Sequence, residues 1–160
     1  MTVENLAEYG MEPMTDDAIQ GFLSAQSTGV LGISTDAEPL LRPLSFWFDG
    51  DSALYFVYVL GSESRKETVS KQSETARFLI YSAETPFQWR SVLCSGSLSE
   101  VPESELSAVL DAMEIRWRPE LFERASVEEP TALYRFEIAA WTGIKQLGLP
   151  PGLDAPDHSE

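Results

Sequence analysis

The spacing of hydrophobic residues along the chain changes several times, and each change predicts a new helix or strand. Apolar residues at helical spacing follow Thr15 and predict a helix over residues 15–26. Alternating patterns then predict a short strand over 29–35 and a longer one over 39–48. The run Asp49-Gly-Asp51 predicts a tight hairpin turn, because glycine tolerates positive φ and aspartate bonds its own backbone.

The second half of the pattern predicts further strands and two more helices. Residues 53–59 are nearly all apolar or aromatic, as in a central strand covered on both faces, and a helical segment follows to about Gln72. Strands are predicted over 75–82, 87–101 and 133–141, with Gly96 as a bulge or point of close approach. After Pro102, the apolar stripe of a core-facing helix is Leu106, Val109, Leu110 and Met113.

These elements predict a mainly β fold. Strands joined in hairpins, with helices before, between and after them, indicate a six-stranded antiparallel barrel with flanking helices. We expect residues 1–14 to be a loose arm, 15–142 the barrel domain and 143–160 a flexible tail, where Gly, Pro and Asp dominate.

Charge is the strongest compositional signal. The chain of 160 residues has 26 acidic and 11 basic residues, a net charge of -15. Dispersed carboxylates with few lysines indicate an acidic, halophilic protein of haloarchaeal type, and an ordinary acidic protein is the alternative. The charge argues against nucleic acid binding. With no long apolar run and no signal peptide pattern, we expect a cytoplasmic protein that does not associate with a membrane.

Single cysteine and histidine residues offer little chemistry. Cys94 excludes an internal disulfide, and its apolar strand pattern favours a buried thiol over a nucleophile. His158, the only histidine, lies in the predicted tail, so we expect no metal site. We nominate no catalytic side chain.

The segment Gly61-Ser-Glu-Ser-Arg-Lys66 follows an apolar strand and opens a predicted helix. Hydroxyls, backbone N–H groups and two adjacent cations at a helix start are the chemistry that holds a phosphate. The alternative is a solvated helix start. Ser64 and Glu67 also have capping-box spacing, which would leave Ser62 as the hydroxyl contact.

A series of short motifs occurs in a definite order. The motifs are Arg42-Pro-Leu-Ser-Phe-Trp-Phe48, Asp49-Gly-Asp51, Leu54-Tyr-Phe56, Ser64-Arg-Lys66, Phe78-Leu-Ile80, and Arg90-Ser-Val92 through Gly96. Together they resemble the pyridoxamine 5'-phosphate oxidase-like family of flavin-binding split barrels. The resemblance implies flavin mononucleotide (FMN) as cofactor, in a cleft between the two subunits of a homodimer.

The resemblance also implies the residues that contact the flavin. Ser64, Arg65 and Lys66 would bind the phosphate, with Arg42 a further contact. Pro43, Leu44 and Ser45 would line the ring, largely through backbone groups. Tyr58, Val59, Arg90 and Ser91 would complete the site.

Departures from the family's oxidase argue against pyridoxamine phosphate oxidation. Ser91 stands where the oxidase carries glutamine, and the Trp- and Arg-rich C-terminal segment is missing. The chain looks more like the uncharacterised and nitroimidazole-reductase-like branches. We expect an oxidoreductase of a small molecule with a nicotinamide or deazaflavin donor. The alternatives are a deazaflavin-binding protein and a binding or storage module for flavin or haem.

Overall fold

The structure is a computed structural model that describes residues 3–34, 38–59, 75–112 and 131–153. In chain order the elements are α1 Val3–Glu8, β1 Met11–Pro13, α2 Asp16–Ala25, β2 Thr28–Ile33, β3 Leu40–Phe48, β4 Ala53–Val59, β5 Ala76–Thr85, β6 Gln88–Glu100, α3 Glu103–Ala112 and β7 Thr131–Leu147.

Antiparallel strands close into a barrel, as the sequence predicted. The sheet order is β1-β7-β4-β3-β2-β5-β6, and a further pairing of β6 with β7 joins the two ends. The closed ring therefore contains β2 to β7, and β1 is an additional strand on β7. Closure gives each strand of the ring a neighbouring strand on both sides.

Two strand features allow the ring to close. β7 is 17 residues long, enough to pair with β1, β4 and β6 along its length. The β6–β7 register shifts between Ser95 and Gly96, which confirms the predicted bulge. A Cβ on Gly96 would collide with the Glu137 carbonyl oxygen, so a side chain would not fit there.

α2 packs against the core of the barrel and matches the predicted helix. Thr15 is its N-cap, and the Thr15 hydroxyl accepts a 3.2 Å hydrogen bond from the Ala18 N–H. The helix buries Ile19, Phe22 and Leu23 in the main hydrophobic cluster. Apolar burial of this kind drives most of a helix's docking energy.

Two hydrophobic clusters stabilise the fold. Inside the barrel the ring of Phe78 lies 5.4 Å from that of Phe46 and 4.8 Å from that of Phe56. A smaller cluster outside the barrel contains Tyr55 and Leu133, and α3 covers it. The predicted stripe of α3 packs on this smaller cluster with Leu106, Val109 and Leu110, and Met113 lies outside the described residues.

The predicted hairpin turn between β3 and β4 is confirmed. Gly50 has a φ of 86°, a conformation that glycine adopts without strain. The Asp49 carboxylate accepts hydrogen bonds from the N–H groups of Asp51, Ser52 and Ala53 at 2.8, 3.0 and 3.1 Å.

The structure differs from the sequence prediction at both ends of the chain. The expected loose arm, residues 1–14, contains α1 and β1 instead, and β1 pairs with the end of β7. β7 also continues past the expected domain end at residue 142 to Leu147. Gly143 does not break the strand and pairs with Val92 of β6. It is a close-packing position, since an added Cβ would stand 2.9 Å from Ile19.

Two predicted segments lie wholly or partly outside the residues that the structure describes. The predicted helix after Gly61 lies outside the described residues, as do the last seven residues of the predicted tail, 154–160. Among the helices that the structure describes, none is long and apolar enough to cross a membrane.

Candidate functional site

A gap in the barrel wall separates β3 from β4. The two strands pair only at Phe46↔Phe56, Trp47↔Tyr55 and Phe48↔Leu54. Beyond Phe46, β3 remains paired with β2, and β4 remains paired with β7 as far as Val59. In the described chain no pairing joins residues 43–45 to residues 57–59, which that register would place opposite one another.

The predicted site residues on these two strands flank this gap. Arg42 to Ser45 occupy the separated half of β3, and the backbone of Tyr58 and Val59 lies on the β4 side. Arg42 and Ser45 are exposed, whereas Leu44 packs partly on the core. One guanidinium nitrogen of Arg42, Nη1, donates a 3.3 Å hydrogen bond to the Leu41 carbonyl. Six predicted contact residues therefore lie on the two sides of one opening.

The predicted phosphate site is not described. Ser62, Ser64, Arg65 and Lys66 lie outside the described residues, so their roles stay predictions. The described part of β4 ends at Val59, beside the gap, and the segment that holds these residues follows directly.

Arg90 and Ser91 lie apart from the gap on the same chain. They sit on β6, where Ser91 pairs with Tyr81 of β5 and Ile144 of β7. β2 and β5 stand between β6 and β3 in the sheet. Three strand spacings separate Ser91 from Pro43, or about 14 Å along the sheet. One chain therefore does not bring the two halves of the predicted site together.

An open groove lies on the outer surface of the barrel between these two halves. We call it the outer groove, and its volume is about 800 Å³. Most of its lining is apolar, and Arg77 is its only charged side chain among the described residues. The lining residues are Val30, Gly32, Ile33, Ser34, Pro39, Leu41, Thr75, Ala76, Arg77, Leu79, Leu93, Ser95, Gly96 and Ala139.

The groove belongs to a wider face formed by β3, β2, β5 and β6. The strand pairing aligns the outward-facing residues of these four strands in rows across the sheet. One such row is Leu41, Gly32, Arg77 and Ser95. Leu41 and Tyr81 are about 60% exposed on this surface. We call the following residues the outer face: Thr28, Val30, Gly32, Leu41, Pro43, Ser45, Arg77, Leu79, Tyr81, Ser91, Leu93 and Ser95.

Sequence reasoning missed the outer groove, although a signal was present. In Ala76-Arg-Phe-Leu-Ile-Tyr81, apolar residues occupy both strand faces, with Phe78 and Ile80 buried and Leu79 and Tyr81 exposed. A strand that is apolar on both faces needs cover on both faces. The pattern alone does not show which other strands lie beside it.

The Cys94 thiol does not take part in the site. Its side chain faces the barrel core and is fully buried, which confirms the predicted buried thiol. Burial raises the pKa of the thiol to about 12, so it stays protonated and unreactive at neutral pH.

Known structures with this architecture include several from bacteria. An FAD-binding protein from Mesorhizobium loti superposes with a TM-score of 0.69 at 19% identity, covering 86% of this chain and 98% of that one. An FAD and heme binding protein from Mycobacterium smegmatis gives 0.67 at 16% identity, with 91% and 77% covered. A flavocytochrome from Azotobacter vinelandii gives 0.61 at 17% identity, with 89% and 71% covered.

These structures share the fold at low sequence identity, and no curated protein matches the chain. A family model described as "Pyridoxamine 5'-phosphate oxidase" matches residues 15–145. That range includes every strand of the closed barrel apart from the last residues of β7. The chain therefore belongs to the pyridoxamine 5'-phosphate oxidase family of split barrels.

Proposed function

We propose that this protein binds FMN and is a flavin-dependent oxidoreductase of a small molecule. The observation that carries the proposal is the gap between β3 and β4, flanked by Arg42 to Ser45 and by Tyr58 and Val59. These are residues at which family resemblance implies flavin contact, and the fold keeps them free of β3–β4 pairing.

The residues at the gap fit a flavin. Strand backbone that makes no ladder across the gap offers N–H and carbonyl groups to a planar polar ring, and the exposed Ser45 adds a hydroxyl. Arg42 offers donors for a phosphate or ribityl group. When bound, the flavin supplies the redox chemistry. The chain's own part is to bind the ring along residues 43–45 and to orient it by hydrogen bonds.

The phosphate is assigned to the segment after β4. Arg65 presents a planar donor fork, Lys66 adds a point charge, and Ser64 or Ser62 adds a hydroxyl. In a chain with a net charge of -15, adjacent cations are needed to overcome the general repulsion of anions.

A homodimer completes the proposed site. On one chain Ser91 lies three strands away from Pro43, so Arg90 and Ser91 do not reach the ring position at residues 43–45. A two-fold pairing would place β6 of one subunit beside β3 of its partner, because isologous contacts exchange the same surfaces.

FMN is proposed ahead of two alternatives, FAD and a deazaflavin. Two structures that share the fold are described as FAD-binding, and their low identity leaves the cofactor of this chain open. Titration of the protein with each of the three compounds separates them by affinity. Oxidation of pyridoxamine phosphate is not proposed, because Ser91 replaces the glutamine of the oxidase.

The test is the flavin content of the purified protein. We expect a yellow protein that releases FMN on denaturation, and an Arg65→Ala, Lys66→Ala double variant that retains almost none while its melting curve stays cooperative. A matched Lys71→Ala, Lys145→Ala variant changes the net charge equally and should keep its flavin. Full flavin retention in the first variant would remove the phosphate assignment, and a colourless protein that gains no flavin on titration would end the proposal.

Turnover requires a separate measurement. Anaerobic addition of a nicotinamide or reduced deazaflavin donor should bleach the flavin absorbance. Bound flavin that no donor reduces would instead favour the storage module. A flavocytochrome has the same fold, so the storage module could bind haem instead of flavin. A Soret band that develops on titration with haem would reveal haem binding.

A further inference from the structure

The first strand of the chain covers a part of β7 that β4 does not reach. β6 pairs with one side of β7 from Tyr134 to Leu147, and β4 pairs with the other side only as far as Glu137. On that second side, β1 pairs with Ile144 to Gln146. The N–H and carbonyl groups of an uncovered edge are a template for pairing with another chain. Among the described strands, only β1 covers this end of the edge.

We call residues 3–13 the N-terminal strap. It consists of α1, which has six residues, and β1, which has three. A helix of this length is not stable by itself in water, and three residue pairs form a very short ladder. Leu6 is the one buried apolar side chain that the structure describes in the strap. The strap therefore depends for its structure on its contacts with the end of β7.

The Gln146 side chain is the main tie between the strap and β7. It is the only buried polar or charged side chain in the described residues. Its amide nitrogen, Nε2, donates to the Tyr9 carbonyl at 2.9 Å and to the Gly148 carbonyl at 3.3 Å. Both acceptors are backbone oxygens, so this position needs a donor, and a carboxylate would be repelled. The ion pair of Lys145 with Glu12 contributes less, because it is 3.9 Å long and the Glu12 side chain is 70% exposed.

Apolar side chains lie beside this edge. Tyr9, Leu147 and Leu149 are exposed, and so is Phe87, whose carbonyl accepts a 2.8 Å hydrogen bond from the Gly148 N–H. An edge with exposed apolar neighbours is prone to pairing between copies. Two copies of the same edge pair antiparallel around a two-fold axis, and such an isologous contact closes at two partners.

We propose that the N-terminal strap is a detachable cover, held by Gln146, that prevents the β7 edge from pairing with the β7 edge of a second copy of this chain. The edge lies on the β4 side of β7, so this contact is separate from the outer face, where β6 and β3 of two subunits are proposed to meet. Release of the strap adds a second association to the first. The mass of the assembly should therefore double when the strap is released.

The first test releases the strap in the full chain. Gln146→Glu is nearly isosteric, but it replaces the donor by a carboxylate that faces two carbonyl oxygens. We expect amide hydrogen exchange in residues 3–13, followed by mass spectrometry, to become about tenfold or more faster, because both hydrogen bonds of the tie are lost. Exchange in β5 should change by less than about twofold, since the barrel stays closed.

Two variants accompany this test. Gln146→Met keeps the length of the side chain without a donor or a charge, and it should release the strap less than Gln146→Glu does. If Gln146→Glu does not melt cooperatively, Gln146→Met decides the question. Lys145→Gln breaks the exposed ion pair with Glu12 and should leave the exchange of residues 3–13 unchanged.

The second test locks the strap in place. Glu12 and Lys145 are directly paired across β1 and β7, so their Cα atoms lie about 4.5–5.5 Å apart, a distance that a disulfide can bridge. Glu12→Cys and Lys145→Cys are combined with Gln146→Glu, and Cys94 does not compete because it is buried. The buffer contains about 0.5 M potassium chloride, which screens the repulsion between copies. Analytical ultracentrifugation should give the mass of the wild type for the oxidised protein and twice that mass after reduction.

Four results would overturn the inference. These are unchanged exchange of residues 3–13 in both Gln146 variants, an unchanged mass after release of the strap, equal assembly of the oxidised and reduced proteins, or assembly of Lys145→Gln like that of Gln146→Glu. Neither readout involves a flavin. A colourless protein would therefore end the proposed function and leave the strap untouched.

Discussion

Gly96 lies directly against the backbone of Glu137, so that a Cβ on Gly96 would collide with the Glu137 carbonyl oxygen. The contact occurs where β6 shifts its register on β7, from Ser95↔Ala140 to Gly96↔Ile138. The same two strands close the barrel. The glycine therefore permits the bend at which β6 pairs with β7 to close the ring.

Replacement of Gly96 by alanine should destabilise the barrel. The added methyl group meets backbone, which cannot rotate away, so β6 and β7 must separate locally at a cost of about 1–3 kcal/mol. Urea unfolding followed by circular dichroism measures this loss. Gly21→Ala is the matched control: no atom lies within 4 Å of its added Cβ, so it should stabilise α2 by about 0.5–1 kcal/mol. Similar stability changes for the two variants would contradict the packing role of Gly96.

Asp49 should be the main determinant of the β3–β4 hairpin. One carboxylate oxygen accepts three backbone N–H groups, and the N–H of Ala53 is partly buried. Asp49→Ala leaves these donors without that acceptor, and we expect a loss of about 1–2 kcal/mol. Asp49→Asn keeps the oxygen and should retain most of the stability. Asp51→Ala in the same turn should change stability by less than about 0.5 kcal/mol, and an equal loss there would exclude the specific role of Asp49.

Local signals made much of the fold predictable from sequence. Thr15 caps α2 through its own hydroxyl, and Asp49 with Gly50 forms the turn, so each effect acts within a few residues of its cause. β1 was not predictable in this way, because Met11 to Pro13 become a strand only by pairing with the end of β7, more than 130 residues away.

For the candidate site, the family resemblance names Arg42 to Ser45, Tyr58 and Val59, and the structure places them on the two sides of one gap. Their contact with a flavin stays a prediction. The groove depends on strand order, which places Gly32 of β2 beside Arg77 of β5. No local sequence pattern shows which strands are neighbours in the sheet, so the groove could be recognised only in the structure.

Tyr55 should contribute more to the stability of the fold through its bond to Arg135 than Glu105 does. The Tyr55 hydroxyl accepts a 3.1 Å hydrogen bond from Arg135 Nε and is part-buried, whereas the Glu105 side chain is 52% exposed in its ion pair with Arg135. Tyr55→Phe is expected to cost about 1 kcal/mol. Glu105→Gln should cost less than about 0.5 kcal/mol, since exposed ion pairs contribute little. Chemical denaturation of the two variants tests the order, and a larger loss for Glu105→Gln would reverse the assignment.

Cys94 should make stability fall at alkaline pH. Burial raises the pKa of the thiol from its ordinary 9.0 to about 12, so unfolding releases a proton between these values. The free energy of unfolding should therefore decrease as pH rises above 9, by about 1.4 kcal/mol per pH unit, with no contribution below pH 9. Cys94→Ala has no thiol, and its stability should decline less steeply over the same range. Parallel pH profiles for the two proteins would contradict the buried thiolate penalty.

Salt should stabilise this protein because of its charge. The net charge of -15 places many carboxylates within reach of one another, and self-repulsion of this kind favours the unfolded chain. At molar ionic strength the Debye length falls to about 3 Å, which screens the repulsion. We therefore expect the melting temperature to rise between 0.1 and 2 M potassium chloride, as differential scanning calorimetry would measure.

Two controls separate screening from other effects of salt. At pH 4 many carboxylates are neutral, so the rise in melting temperature should be smaller. Sodium sulfate at equal ionic strength isolates the effect of ion exclusion from the protein surface. A melting temperature that does not respond to potassium chloride would show that the acidic surface is not a halophilic adaptation.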